Sequence, residues 1–190
     1  MKTMDYKKTI RVGLLSTMLS LSSLSVFAGT DARSMSINQV PELGLEIWTE
    51  AEPVWNTNLT SHQGRPVFIS HFPINYYPPA SMSWAVLRFT LAPDELQRAF
   101  ATALDEARSH YQVALSEVIT PTPAHYGPLV GLEAQFSGIA NNEKVDVHFF
   151  VGAEDNQPTV VMQLFTLPGK LPHLKYQRER SWEQLKYLTK

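Results

Sequence analysis

The chain has 190 residues, with 16 Lys and Arg against 18 Asp and Glu, a formal net charge of −2, and no cysteine. Without cysteine there are no disulfide staples, no thiol catalysis, no Cys-ligated zinc and no iron–sulfur cluster. The slightly acidic balance argues against general nucleic-acid binding, which needs a basic footprint.

Lys2, Lys7, Lys8 and Arg11 precede a mostly apolar stretch from Val12 to Phe27, and Val26-Phe27-Ala28 puts small or aliphatic residues where a signal peptidase reads. The pattern predicts a secretory signal over residues 1–28 with cleavage after Ala28. A retained membrane anchor fits less well, because the stretch carries five serines and is shorter than the roughly 20 apolar residues a span requires. No cysteine lies beside the cleavage site to carry a lipid, so no stable membrane span or lipoprotein anchor is expected after processing. An exported domain without disulfides suits the periplasm, where packing alone holds the fold. Cleavage removes four of the basic residues and one of the acidic (Asp5), leaving a net charge of −5. The C-terminal segment is nevertheless basic, with Lys170, Lys175, Arg178, Arg180, Lys186 and Lys190 against Glu179 and Glu183. A solvated helix face explains that run most simply.

Gly29 to Gln39 is small and polar and reads as a flexible mature N-terminus, with a single domain over residues 40–190. Leu43, Leu45 and Ile47 alternate with Gly44, Glu46 and Trp48, a strand pattern. Val54-Trp55 and a polar turn from Asn58 to Pro66 follow, then a strand from Val67 to Phe72. Pro73 to Trp84 holds three prolines and three aromatics, which predicts a loop because proline lacks the ladder donor. Ala85 to Leu91 is again strand-like.

Pro93, Asp94 and Glu95 are suited to a helix start. Leu96, Phe100, Ala103, Leu104, Ala107 and Tyr111 then recur at helical spacing as one apolar stripe. Val113 to Ile119 reads as a strand, broken by Pro121-Thr122-Pro123. Two alternating segments around Val130–Phe136 and Val145–Val151 and a further strand from Thr159 to Leu167 follow, joined by turns at Asn141-Asn142 and Asp155-Asn156. They predict an antiparallel meander. Leu174 to Leu188 is read as a terminal helix with Trp182, Leu185 and Leu188 inward. The expected fold is α+β, a single domain in which an antiparallel sheet is flanked by an amphipathic helix and a C-terminal helix, both covering one sheet.

This order, an amphipathic helix over Pro93–Tyr111, three antiparallel strands and a Leu167-Pro168 pair leading into a C-terminal helix, resembles the PsbP/DcrB-like α/β/α superfamily over residues 65 to 190. The resemblance implies a sheet flanked by helices and members that mostly bind partners rather than catalyse. No family residue is carried over as a site.

Catalytic and metal motifs are not found. The six histidines show no helical ligand spacing and no HExxH, and GxSxG, GxGxxG and P-loop patterns are missing. Asp146 and His148 share one strand face, with a residue from Glu133 to Gln135 expected across from them. A solvent-facing polar row is the simplest account, and a hydrolase using the pair is the least favoured reading. No cofactor is expected. The Pro/Tyr-rich loop offers the residue types that carry binding energy, with Tyr76, Tyr77, Pro78, Pro79 and Trp84 as the candidate partner-binding set. The first functional expectation is therefore a non-enzymatic periplasmic protein that binds a protein partner, most concretely an immunity protein against a toxin delivered to the periplasm. The alternative is a small-ligand or lipid-binding module, with Met82, Phe100, Phe149, Met162 and Phe165 lining a groove between sheet and helices.

Overall fold

The computed structural model describes residues 34–87, 95–114 and 116–189. The expected signal segment lies outside them, as do the helix-start residues Pro93 and Asp94 and the end of the strand read to Leu91. Residues Arg33–Lys190 form one compact unit.

The strands are β1 (Met35–Val40), β2 (Leu45–Glu50), β3 (Asn56–His62), β4 (Arg65–His71), β5 (Ala80–Leu87), β6 (Thr122–Tyr126), β7 (Leu129–Ala140), β8 (Glu143–Ala153), β9 (Thr159–Thr166) and β10 (Lys186–Tyr187). The helices are α1 (Leu96–His110) and α2 (Lys175–Glu183), the latter entered through a single 3-10 turn at Leu171–Leu174. Seven strands form the main sheet in the order β3-β4-β5-β9-β8-β7-β6, and β1-β2-β10 form a second, small one. Every paired neighbour is antiparallel. The α+β class is as expected.

Period-two alternation gives the main sheet two apolar faces, and each builds its own core. Val145, Val147, Phe149 and Val151 of β8, with Ala134 and Phe136 of β7, meet Phe100, Ala103, Leu104 and Ala107 of α1. On the opposite face Phe150, Met162, Leu164, Met82, Trp84 and Phe68 meet Leu45 and Ile47 of β2 and Trp182 of α2. The two helices flank the main sheet, as expected, and lie on its opposite faces. Helix α1 brings its stripe to β7 and β8, as its sequence period requires. Helix α2 has no such stripe; it docks by buried Trp182, Ser181 and Arg178, and Ser181 donates to the Trp48 carbonyl. Among the described residues, no helix is long and apolar enough to cross a membrane.

Four local expectations change. Residues 35–39, read as tail, belong to β1, which pairs along its whole length with β2. Residues 56–62, read mostly as turn, form β3, and only Gln63 and Gly64 turn, both with positive φ. The described part of 113–119 is not a strand, whereas the proline-bearing Thr122–Tyr126 is one. Pro123 fits there because β6 is an edge, where a missing donor costs no ladder bond. The terminal helix ends at Glu183, and Lys186–Tyr187 returns as β10 beside β2.

Candidate functional site

Helix α1 covers the β7–β8 half of its sheet face and leaves the β3–β5 half open. A cleft of about 390 Å³ remains between them. Its floor is apolar, formed by Val67 and Ile69 of β4, Ala85 and Leu87 of β5, and Val161 and Phe165 of β9. All six fall on the α1 face by strand alternation. The rim is polar. Arg65 of β4 reaches across to Glu106 of α1, its Nη2 at 2.8 and 3.0 Å from the two carboxylate oxygens. His62 of β3 and His110 of α1 meet edge to face with ring centroids 5.8 Å apart. Burial, and secondarily the nearby His62, lower the His110 pKa. Deeper in, the Tyr111 hydroxyl donates to Gln163 Oε1 at 3.0 Å. An apolar floor with a few polar groups at its mouth, in a volume of this size, is the usual form of a small-ligand site.

Of the residues expected to line such a groove, only Phe165 does. Met82 and Met162 belong to the core on the other face, and Phe100 of α1 packs on Phe149 of β8 within the closed half. The groove residues carried one signal in the sequence. Val67-Phe68-Ile69 is apolar on both faces of a strand, so each face needs a cover or a ligand.

The Pro/Tyr loop is shorter than expected, because Ala80–Leu87 is strand β5. Trp84 is fully buried in the core beside Phe68 and is no partner contact, a correction set by its place in the middle of β5. Pro78 is buried as well. Tyr76 is half-buried. Its ring continues the row from Trp55 through Phe72, and its hydroxyl accepts from Gln177 of α2 at 2.6 Å. The outward surface consists of Ile74 (97% exposed), Tyr77 (69%) and Pro79, with the Lys170 ammonium 5.5 Å from the Tyr77 ring centre.

Asp146 and His148 share a face, as expected, and Gln135 stands directly across from His148. They do not act together. Asp146 accepts from Ser137 at 2.7 Å and from the Gly169 amide at 2.6 Å. His148 is 1% exposed, so the expected solvent-facing row is corrected: α2 lies over it. Arg178 Nη1 donates to His148 Nδ1 at 2.6 Å, which requires the proton on Nε2, and Nε2 faces Glu133 Oε2 at 2.8 Å. Tyr126 donates to the same oxygen at 2.6 Å. Burial, then the Arg178 charge, lower the His148 pKa to about 4, so the imidazole is neutral. Burial alone would raise Glu133, but the hydrogen bonds from Tyr126 and His148 outweigh it and hold the carboxyl below its usual range. Burial pushes the Tyr126 hydroxyl up. The chain Arg178–His148–Glu133–Tyr126 is thus a latch between α2 and the sheet, with both imidazole nitrogens engaged.

No family model matches the chain, and no curated protein does. Solved structures similar to the chain include the following three. One, from Bacteroides thetaiotaomicron, is 12% identical with a TM-score of 0.46 over 80% of this chain and 47% of its own, so the chain spans about half the length of that protein. A protein of unknown function from Pseudomonas aeruginosa is 11% identical with a TM-score of 0.47 over 82% and 99%. LpqN, involved in cell envelope biogenesis of Mycobacterium tuberculosis, is 16% identical with a TM-score of 0.42 over 82% and 85%. None of the three carries a PsbP or DcrB name.

Proposed function

We propose that the chain is a non-enzymatic, exported binding protein of the periplasm whose binding face is the cleft between α1 and the open half of the sheet. The observation that carries this reading is that cleft: an apolar floor under an Arg65–Glu106 and His62–His110 rim, in a volume of about 390 Å³. Its chemistry suits an amphiphile that lays an apolar portion on Val67, Ile69 and Ala85 and leaves its polar end at the rim. The export pattern of residues 1–28 and the element order of the PsbP/DcrB-like superfamily support the same reading.

The test is binding of a fluorescent fatty acid such as cis-parinaric acid to the chain and to Ala85→Trp, whose indole would fill the floor. Saturable binding lost in Ala85→Trp, with unchanged circular dichroism, is the expected result. Equal binding by both would place any ligand elsewhere.

A second reading, capture of a protein partner such as a toxin, is favoured by the outward Ile74 and Tyr77. Paired apolar side chains at a loop tip suit an anchor in a partner's pocket. A stoichiometric protein co-purifying with the chain and lost on Tyr77→Ala would select this reading. Retention on that variant would dismiss it.

A further inference from the structure

The two edges of the main sheet are treated differently. Edge β6 carries Pro123, and α2 packs against it, with Trp182 5.0 Å from Tyr126. Gly127, just past it, runs so close to the Glu183 carbonyl that no side chain would fit. Edge β3 has none of these protections. All seven residues, Asn56–His62, are exposed, and the strand contains no proline, lysine or carboxylate. Among the described residues no strand pairs with its outer side. An edge of that kind is a template for another strand, and natural sheets normally blunt it.

The register says which strand fits. One line of directly paired residues crosses the sheet on a single face: Phe150, Met162, Trp84, Phe68 and Leu59. Four of these are buried, and the fifth, Leu59 at the edge, is 39% exposed. The apolar row stops at solvent. Leu59 is also the midpoint of β3, flanked on both sides by three polar residues. Antiparallel pairing on a twofold axis through Leu59 sets Asn58 against Thr60, Thr57 against Ser61 and Asn56 against His62. No like charges face one another, the hydroxyl and amide pairs are compatible, and the apolar row continues through Leu59 into its own copy.

We propose that the chain forms a symmetric dimer by antiparallel β3–β3 pairing centred on Leu59, joining two seven-stranded sheets into one. The Leu59 row and the cleft floor lie on opposite faces of the sheet, although His62 of β3 also sits at the cleft rim.

The test measures molar mass by sedimentation velocity over a dilution series of the chain as recovered from an expressing host. The variants are Leu59→Lys, Leu59→Glu and their equimolar mixture. The chain should be dimeric. Each variant should raise the dissociation constant about tenfold or more by placing like charges opposite each other. The mixture should restore the dimer, because an ammonium from one variant then meets a carboxylate from the other across the twofold axis. Restoration also shows that both variants are folded. A monomeric parent at all concentrations, a variant that dimerises as the parent does, or a mixture that stays monomeric would each overturn the proposal.

Discussion

Arg178 of α2 donates its Nη1 hydrogen to Nδ1 of His148 on β8, 2.6 Å away, and so joins the least amphipathic helix to the centre of the sheet. Because this nitrogen must accept, the arrangement holds only while the imidazole is neutral.

Truncating Arg178 should therefore cost more than an exposed ion pair would. Arg178→Ala removes the donor to His148 and the guanidinium lying 5.8 Å from the Tyr126 and Trp182 ring centres. We expect a loss of about 2–4 kcal/mol in urea unfolding. Arg178→Lys should recover little, because an ammonium cannot reproduce the planar contacts. A loss near zero would mean that Trp182 alone holds α2.

Acid should weaken the fold through the same residue. Between pH 6.5, the ordinary histidine value, and about 4, the unfolded chain takes up a proton that folded His148 refuses. Stability accordingly falls as the pH drops through that window and stops falling from this source below it. The depressed Glu133 carboxyl acts in the same direction, its contribution fading as the pH falls through its lowered value. His148→Gln can accept from Arg178 and donate to Glu133 without titrating. Its unfolding free energy should be flatter than the parent's by about 2–3 kcal/mol over this range. Parallel curves for the two proteins would assign the pH dependence elsewhere.

The two adjacent tyrosines of the loop should separate. Tyr76→Ala loses the edge-to-face contact with Phe72 and the bond from Gln177, and is expected to cost about 1–3 kcal/mol. Tyr77→Ala should stay within about 0.5 kcal/mol of the parent, since its ring is mostly in solvent. Thermal unfolding distinguishes them directly.

Gly138 answers to space rather than to φ. A Cβ there would lie 2.6 Å from the Tyr111 carbonyl oxygen, which also accepts from the Ile139 amide at 2.6 Å. Gly138→Ala should force β7 away from the end of α1, at a cost of about 2 kcal/mol or more. It should also disturb the Tyr111–Gln163 bond at the cleft wall. An alanine variant as stable as the parent would show that this junction yields.

What the sequence made legible followed from strong periods. Helix α1 declared itself by the stripe from Leu96 to Tyr111, β7 and β8 by alternation, and β9 by an apolar run set off by a polar turn. Strand β3 was not legible, because Asn56–His62 shows no apolar alternation; an exposed edge needs none, and its pairing comes from β4. Residues 113–119 misled in the opposite sense, being apolar enough for a strand while the described ones among them form none. Gln135 opposite His148 was readable from the register of a hairpin. Arg178 was not, since it arrives from a helix 30 residues further along, and no local pattern announces it. The cleft was half legible: a groove was expected, but its floor depends on which half of the sheet α1 leaves bare.

Phe149 and Phe150 are consecutive residues, and each is wholly buried in a different core. Strand β8 is thus a wall common to two rooms, and neither room can be emptied while the wall stands in place. Loosening α1 exposes the side of β8 that Phe149 occupies, and loosening α2 exposes the side of Phe150. Either event weakens the strand on which the other depends. The amides of β8 should consequently exchange with solvent only through global opening, as the slowest in the chain, and the two layers should melt in a single transition.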